Sequence, residues 1–148
     1  MSMSEEVLQA RAAQLSEQAN RLRKRMEERK FGFGLVVVSA ISALGVVVIL
    51  FLGTSPAAAA LVSAAHLAIA AFLADWGRRQ DDLWPPDILR RKVVALACTA
   101  LYALLLFYYL HSANLATVCL VLSLIGHACM YSGAHRLYST GPYDEPLY

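Results

Sequence analysis

The chain has 148 residues, 58% hydrophobic and 16% charged, with a net charge of +2 and a mean hydropathy of +0.50. Soluble domains carry about 45–50% apolar and about 25% charged residues, so these figures disfavour a soluble globule and exclude disorder, collagen and a disulfide scaffold. The small net charge argues against nucleic acid as a partner.

Residues 1–30 are polar and read as a helix. Ser4 is placed to cap it, with Glu5 and Glu6 in the first turn, where acids favour the helix dipole. Leu8, Ala12, Leu15, Ala19, Leu22 and Met26 recur at alternating spacings of 4 and 3. This is a short heptad seam, under the length of a self-sufficient coiled coil. Three readings stay open: a solvated helix folded back on the chain's own loops, a partner-binding helix, or a helix lying on lipid. Arg21–Lys30 is rich in bases, as juxtamembrane segments that set topology and touch anionic headgroups are. Gly32 and Gly34 suggest a flexible joint between this helix and the apolar run.

Residues 31–74 and 93–134 contain no Asp, Glu, Lys or Arg. One membrane-spanning helix needs about 20 apolar residues, so each block holds two. Each block has a turn signal near its centre. In the first, Ser55 suits an N-cap and Pro56 the first helical position. In the second, His111-Ser112-Ala113-Asn114 supplies capping side chains. Four helices are expected near 31–52, 56–74, 92–110 and 114–132. The fold expected is therefore an all-α polytopic membrane protein, two in-out-in hairpins behind an amphipathic N-terminal helix. Its parts are the N-terminal helix (1–30), a four-helix transmembrane domain (31–134) with a loop at 75–92, and an extended tail (135–148).

Every Lys and Arg lies in the terminal segments or the 75–92 loop. The positive-inside rule then puts both termini and this loop on the cytoplasmic or matrix side. Within the loop, Asp81, Asp82 and Asp87 superficially match a diphosphate–metal motif. A second acidic cluster is missing and two prolines intervene, so no metal site is expected. Asp87 reads better as the N-cap of the third span.

Cys98, Cys119 and Cys129 fall within spans without metal-ligand spacing and are expected to pack as small apolar residues. No nucleophile–base–acid set, phosphate loop or zinc motif is present, so no catalytic residue is assigned. Ser63 is three residues from His66, but no acid is near to orient the imidazole. The histidines are the sharpest feature, because ionisable groups inside a span are functional candidates. His66 and His127 are expected at similar depth. As neutral imidazoles they suit the ligands of a b-type haem, with Gly126 leaving room for the macrocycle. Otherwise each hydrogen-bonds a neighbour.

Small residues crowd the second span, where Ala60, Ala64 and Ala68 form a ladder suited to close helix contact. Packing within the bundle is the default expectation for it. The first span adds Ser39 and Ala43. The function these features suggest is a non-enzymatic accessory or assembly subunit of a larger membrane complex. It would contact the bilayer and other membrane subunits through the N-terminal seam and the small-residue faces, with no cofactor. The alternatives are a haem-binding electron carrier using His66 and His127, or an enzyme or transporter for a lipid or other uncharged solute.

Overall fold

The computed structural model describes residues 2–139, with side chains from Glu5 onward apart from Glu6. The described residues form four α-helices and one short 3-10 turn: α1 (Ser2–Gly53), α2 (Pro56–Arg79), the turn Gln80–Asp82, α3 (Pro85–Leu110) and α4 (Ala113–Tyr138). All four are long and apolar enough to cross a membrane. The expected tail falls largely outside the described residues. Its first part does not extend: α4 continues through Tyr138 and ends where the Ser139 amide donates to the His135 carbonyl, at 2.7 Å.

The junction near residue 30 is not a joint. A single 52-residue helix runs through it, about 78 Å long at 1.5 Å per residue. Ser4, expected as its cap, lies inside the helix. Gly32 does not hinge because it is needed for packing. A Cβ added there would lie 2.9 Å from Arg136 Cβ and 3.1 Å from the Gly133 carbonyl oxygen.

The two tight turns form as the capping residues dictate. Ser55 Oγ accepts from the Ala58 amide at 3.3 Å, and Pro56 occupies the first turn of α2. Ser112 Oγ accepts from the Leu115 amide at 3.5 Å. α3 closes on His111, whose φ of 51° is left-handed; His tolerates this region better than most side chains. The start of α3 differs from expectation. Pro85 and Pro86 open the helix behind Trp84, so Asp87 sits in the first turn rather than at the cap. Proline suits the first turn because its missing N–H has no intrahelical partner there. An acid two residues further on still favours the helix dipole.

α4 is the central element. α1 packs along it most extensively, α2 next, and α3 less. The face α1 turns inward carries Gly32, Ser39, Ser42, Val46 and Leu50, all buried. These spacings of three, four and seven keep to one side of a helix. Ser42 Oγ donates to the Leu122 carbonyl oxygen across the α1–α4 seam, at 3.0 Å. Gly126 and Gly133 sit opposite. At Gly126 a Cβ would come within 3.0 Å of Ser42 Cβ; at Gly133 it would come within 2.8 Å of the Gly32 carbonyl oxygen and 2.9 Å of Val36 Cγ2. Gly126 is thus used to admit α1, not to clear space beside His127. Gly77 plays the same part between α2 and α4, where an added Cβ would collide with the Tyr131 carbonyl oxygen. Towards the other end of the bundle, Val46, Leu50, Val62, Leu106 and Cys119 close a small apolar core.

The alanine ladder of α2 is placed otherwise than expected. Ala60, Ala64 and Ala68 are exposed, and the buried face of α2 is instead Ala59, Val62, Ser63, His66, Ile69 and Ala70. The reason is angular. The buried set carries Ser63 and His66, and the ladder lies on the flank beyond it. At the base of α2, Asp75 accepts hydrogen bonds from Arg79 Nε at 2.9 Å, Arg91 Nη1 at 3.2 Å and Arg78 Nη2 at 3.3 Å. Arg91 belongs to α3, so this cluster ties the two helices across the loop.

Replacing Gly133 by Val should lower the melting temperature of the detergent-solubilised protein, at a cost of about 1–3 kcal/mol for overpacking. A Cβ added at Gly45 meets no atom within 4 Å, so Gly45→Ala should melt at or slightly above the parent temperature. Equal effects of the two changes would show that the α1–α4 seam is not as close as described.

Candidate functional site

α2, α3 and α4 each contribute to one buried polar cluster. His66 comes from α2, Tyr102 from α3, and Cys119, Ser123 and His127 from α4. His66, Tyr102 and Ser123 are each 1% exposed, which makes this the most enclosed polar region among the described residues. The arrangement follows from helical spacing. Cys119, Ser123 and His127 recur every four residues, so they share the face of α4 that looks toward α2 and α3. Ser63 and His66 lie one turn apart on the inner face of α2.

The two imidazoles stack on each other. Their ring centroids are 4.6 Å apart with an interplanar angle of 27°. Tyr102 packs against both, with its ring 5.6 Å from that of His66 and 6.3 Å from that of His127. His127 Nε2 lies 3.4 Å from the His66 carbonyl oxygen, so a proton on Nε2 donates there through a long bond. The Tyr102 hydroxyl and Ser123 Oγ are 2.9 Å apart. Ser123 Oγ donates to the Cys119 carbonyl oxygen at 2.7 Å, which leaves the phenol to donate to Ser123. His66 Nδ1 and Ser63 Oγ are buried and have no hydrogen-bond partner among the described residues.

The structure therefore brings the two histidines together, closer than separate ligation needs. A macrocycle held between two imidazoles requires them on opposite faces of a plane, with the gap open. Here the rings touch, and Gly126 beside them is filled by Ser42. The donor types suit haem iron, but this arrangement does not fit the group between them, and no chemistry is derived through it. His111 and His135 stay apart, one at the α3–α4 turn and one near the end of α4.

Tyr102 and Ser123 were not among the residues that the sequence singled out. Tyrosine is normally enriched at membrane borders, and the signal was its position: Tyr102 lies midway along the third expected helix, near 92–110. The cysteines divide. Cys119 is buried, Cys129 half-buried and Cys98 exposed, so Cys98 lies outside the packed core expected for it. In the loop, Asp81 accepts from Ser139 Oγ at 3.0 Å.

The expected partner-binding seam is not covered by any of the described residues. Leu8 and Leu15 are each 65% exposed, Leu22 58% and Met26 60%; Ala12 and Ala19 are also exposed. A helix folded back on its own loops would bury them. α1 instead continues as one helix from its apolar part, and the seam residues stay exposed along it.

No known family matches this chain, and no characterised protein or solved structure shows significant similarity to it.

The polar cluster makes a graded prediction. Tyr102→Phe leaves Ser123 bonded to Cys119, so it should cost only about 0.5–1.5 kcal/mol. Ser123→Ala strands a buried phenol and should cost about 1–3 kcal/mol. Unfolding of both variants in mixed micelles checks the order. A larger loss for Tyr102→Phe would mean that the phenol has another partner.

Proposed function

We propose that this chain is a non-enzymatic integral membrane protein that serves as an accessory or assembly subunit of a larger membrane complex. The observation that carries the reading is the leucine seam on α1. Residues 2–30 extend about 43 Å at 1.5 Å per residue before the first uncharged run begins. Along that rod Leu8, Leu15 and Leu22 remain more than half exposed. An isolated helix of this kind is marginal in water, and an apolar stripe outside the bilayer is of use only when another surface covers it. The exposed alanine ladder of α2 lends secondary support, because small residues let helices approach closely in lipid. The absence of charged groups from the uncharged runs supports a role other than ion transport.

On this reading the four helices form two in-out-in hairpins, with both termini and the 75–92 loop on the cytoplasmic or matrix side. All thirteen Lys and Arg residues support this orientation. Single cysteines at Ser2, Gln80 and Ser139 in a cysteine-free background should label from one face of sealed vesicles. Labelling of Gln80 from the face opposite to Ser2 refutes the arrangement.

A second reading, action on a lipid or other uncharged solute, draws on the unspent polar atoms His66 Nδ1 and Ser63 Oγ. It lacks an acid to orient either histidine, so the subunit reading is preferred. Burial of each leucine against a partner contributes roughly 1.5–3 kcal/mol before ordering costs. Changing Leu8, Leu15 and Leu22 together to Ser should therefore release a co-purifying protein from mild detergent extracts, while membrane insertion persists. Recovery of the same proteins with and without the change shows that α1 is not the docking element.

A further inference from the structure

A second feature of the described residues is a cleft apart from the polar cluster. It lies where the N-terminal half of α1 passes the ends of α2 and α4, and it encloses about 650 Å³. One wall is a single face of α1. Arg21, Lys24, Arg25, Glu28 and Arg29 follow the spacing of three and four that lines up side chains on a helix. The other wall is the end of α4, with Tyr131, Ser132, His135, Arg136 and Ser139. Gln80 closes the floor.

Charge and depth together indicate the occupant. Lys24, Arg25 and Arg29 face Arg136 across the cleft, against one lining acid, Glu28. The Asp81 carboxylate adjoins the cleft through the hydrogen bond that it accepts from Ser139, so it partly offsets the basic charge. Arg21 is engaged with Glu17 and Arg25 is engaged within the protein as well; both still add positive charge to the cleft. The cation of Arg136 is steadied over the Phe31 ring, 5.0 Å from its centroid. One further polar atom at the cleft, His135 Nδ1, is buried without a hydrogen-bond partner among the described residues. The histidine can donate to an anion when Nδ1 carries a proton. Arg29 and Arg25 precede the uncharged run at Phe31 by two and six residues, about 3 and 9 Å along the helix. A bilayer's polar layer adds about 5–8 Å outside each side of the hydrocarbon, so the cleft opens at headgroup depth.

We propose that this cleft binds the phosphate headgroup of an anionic phospholipid, preferably one carrying more than one phosphate. Basic pockets between helices on the cytoplasmic or matrix side are suited to such headgroups. Four cations on two walls match a polyanion better than a single phosphate, and guanidinium groups engage phosphate oxygens in pairs. The proposal rests on the reading of the four helices as membrane spans, but not on the subunit role. A lipid held here bridges α1 to α4 at the level where the rod leaves the bilayer, so it would fix the direction in which the leucine seam points.

The test uses the full chain in phosphatidylcholine nanodiscs, undoped or doped with cardiolipin or with phosphatidylglycerol, and inorganic phosphate added to undoped discs. Retained lipid is read by native mass spectrometry and stabilisation by thermal melting. Cardiolipin should be retained and should raise the melting temperature more than phosphatidylglycerol does, with inorganic phosphate inert. The triple change Lys24→Gln, Arg25→Gln, Arg29→Gln should weaken retention about tenfold or more, beyond the diffuse attraction of a basic segment. Arg136→Gln, on the opposite wall, should weaken it as well. Arg11→Gln, Arg23→Gln and Lys30→Gln remove the same charge outside the cleft and should leave retention unchanged. Equal losses for the two triple variants overturn the proposal in favour of diffuse surface charge. Equal stabilisation by inorganic phosphate overturns it in favour of a soluble anion. Alkaline carbonate extraction is scored separately: release of the chain refutes the membrane reading and the cleft together, whereas retention without lipid preference refutes the cleft alone.

Discussion

The bundle depends on how closely α1 and α4 approach. On the membrane reading proposed above there is little hydrophobic drive between the helices, because lipid tails are as apolar as leucine. Association then comes from dispersion contacts and interhelical hydrogen bonds, and both need short distances. Gly32, Gly126 and Gly133 permit those distances, and Ser42 uses one of them to donate to the Leu122 carbonyl. Gly77 extends the same device to α2. α3, which meets α4 without a glycine, packs less extensively and exposes much of its apolar surface, including Leu96, Leu101 and Leu104.

The polar cluster sits where the three helices α2, α3 and α4 converge, and it contains no Asp, Glu, Lys or Arg. Hydrogen bonds run from Tyr102 to Ser123 to the Cys119 carbonyl, and from His127 to the backbone of α2, while His66 Nδ1 and Ser63 Oγ have no partner among the described residues. Such contacts between helices are worth about 0.6 kcal/mol on average in membranes, so they contribute register as much as stability. Stacking of His66 on His127 fixes the relative height of α2 and α4. That explains how two histidines can be enclosed without a carboxylate: each is held by packing on the other and on Tyr102.

Continuity of α1 links the buried part of the molecule to the exposed part. Because no turn separates residue 30 from residue 31, the packing of Gly32 against α4 sets the direction of everything N-terminal to it. The basic face of α1 is carried past the end of α4, where the two enclose the cleft, and the leucine seam is carried beyond. A rigid rod can transmit a bound headgroup or a docked partner to the helix bundle; a flexible joint at Gly32–Gly34 would not.

Much of the architecture is local and was therefore legible in one dimension. Runs without charge, capping serines and Pro56 depend only on neighbouring residues, so the number of candidate spans and both tight turns could be read directly, though not the fusion of the N-terminal helix with the first of them. The heptad spacing of Leu8, Leu15 and Leu22 likewise required only periodicity. Other features depend on which faces meet. Gly32 has the composition of a hinge, and only the proximity of Gly133 makes it a packing residue. Ala60, Ala64 and Ala68 have the spacing of an interface, yet the bulkier Val62 and His66 occupy the inner side. Two histidines 61 positions apart could be given similar depth from helix length, but whether their rings stand apart or touch depends on the rotation of α2 about its axis. Composition determined the class of protein and its elements, because backbone hydrogen bonding in an apolar run leaves little but the helix. The tertiary structure decided which surfaces are spent inside and which remain for others, because a helix's rotation is settled only by the neighbour against which it packs.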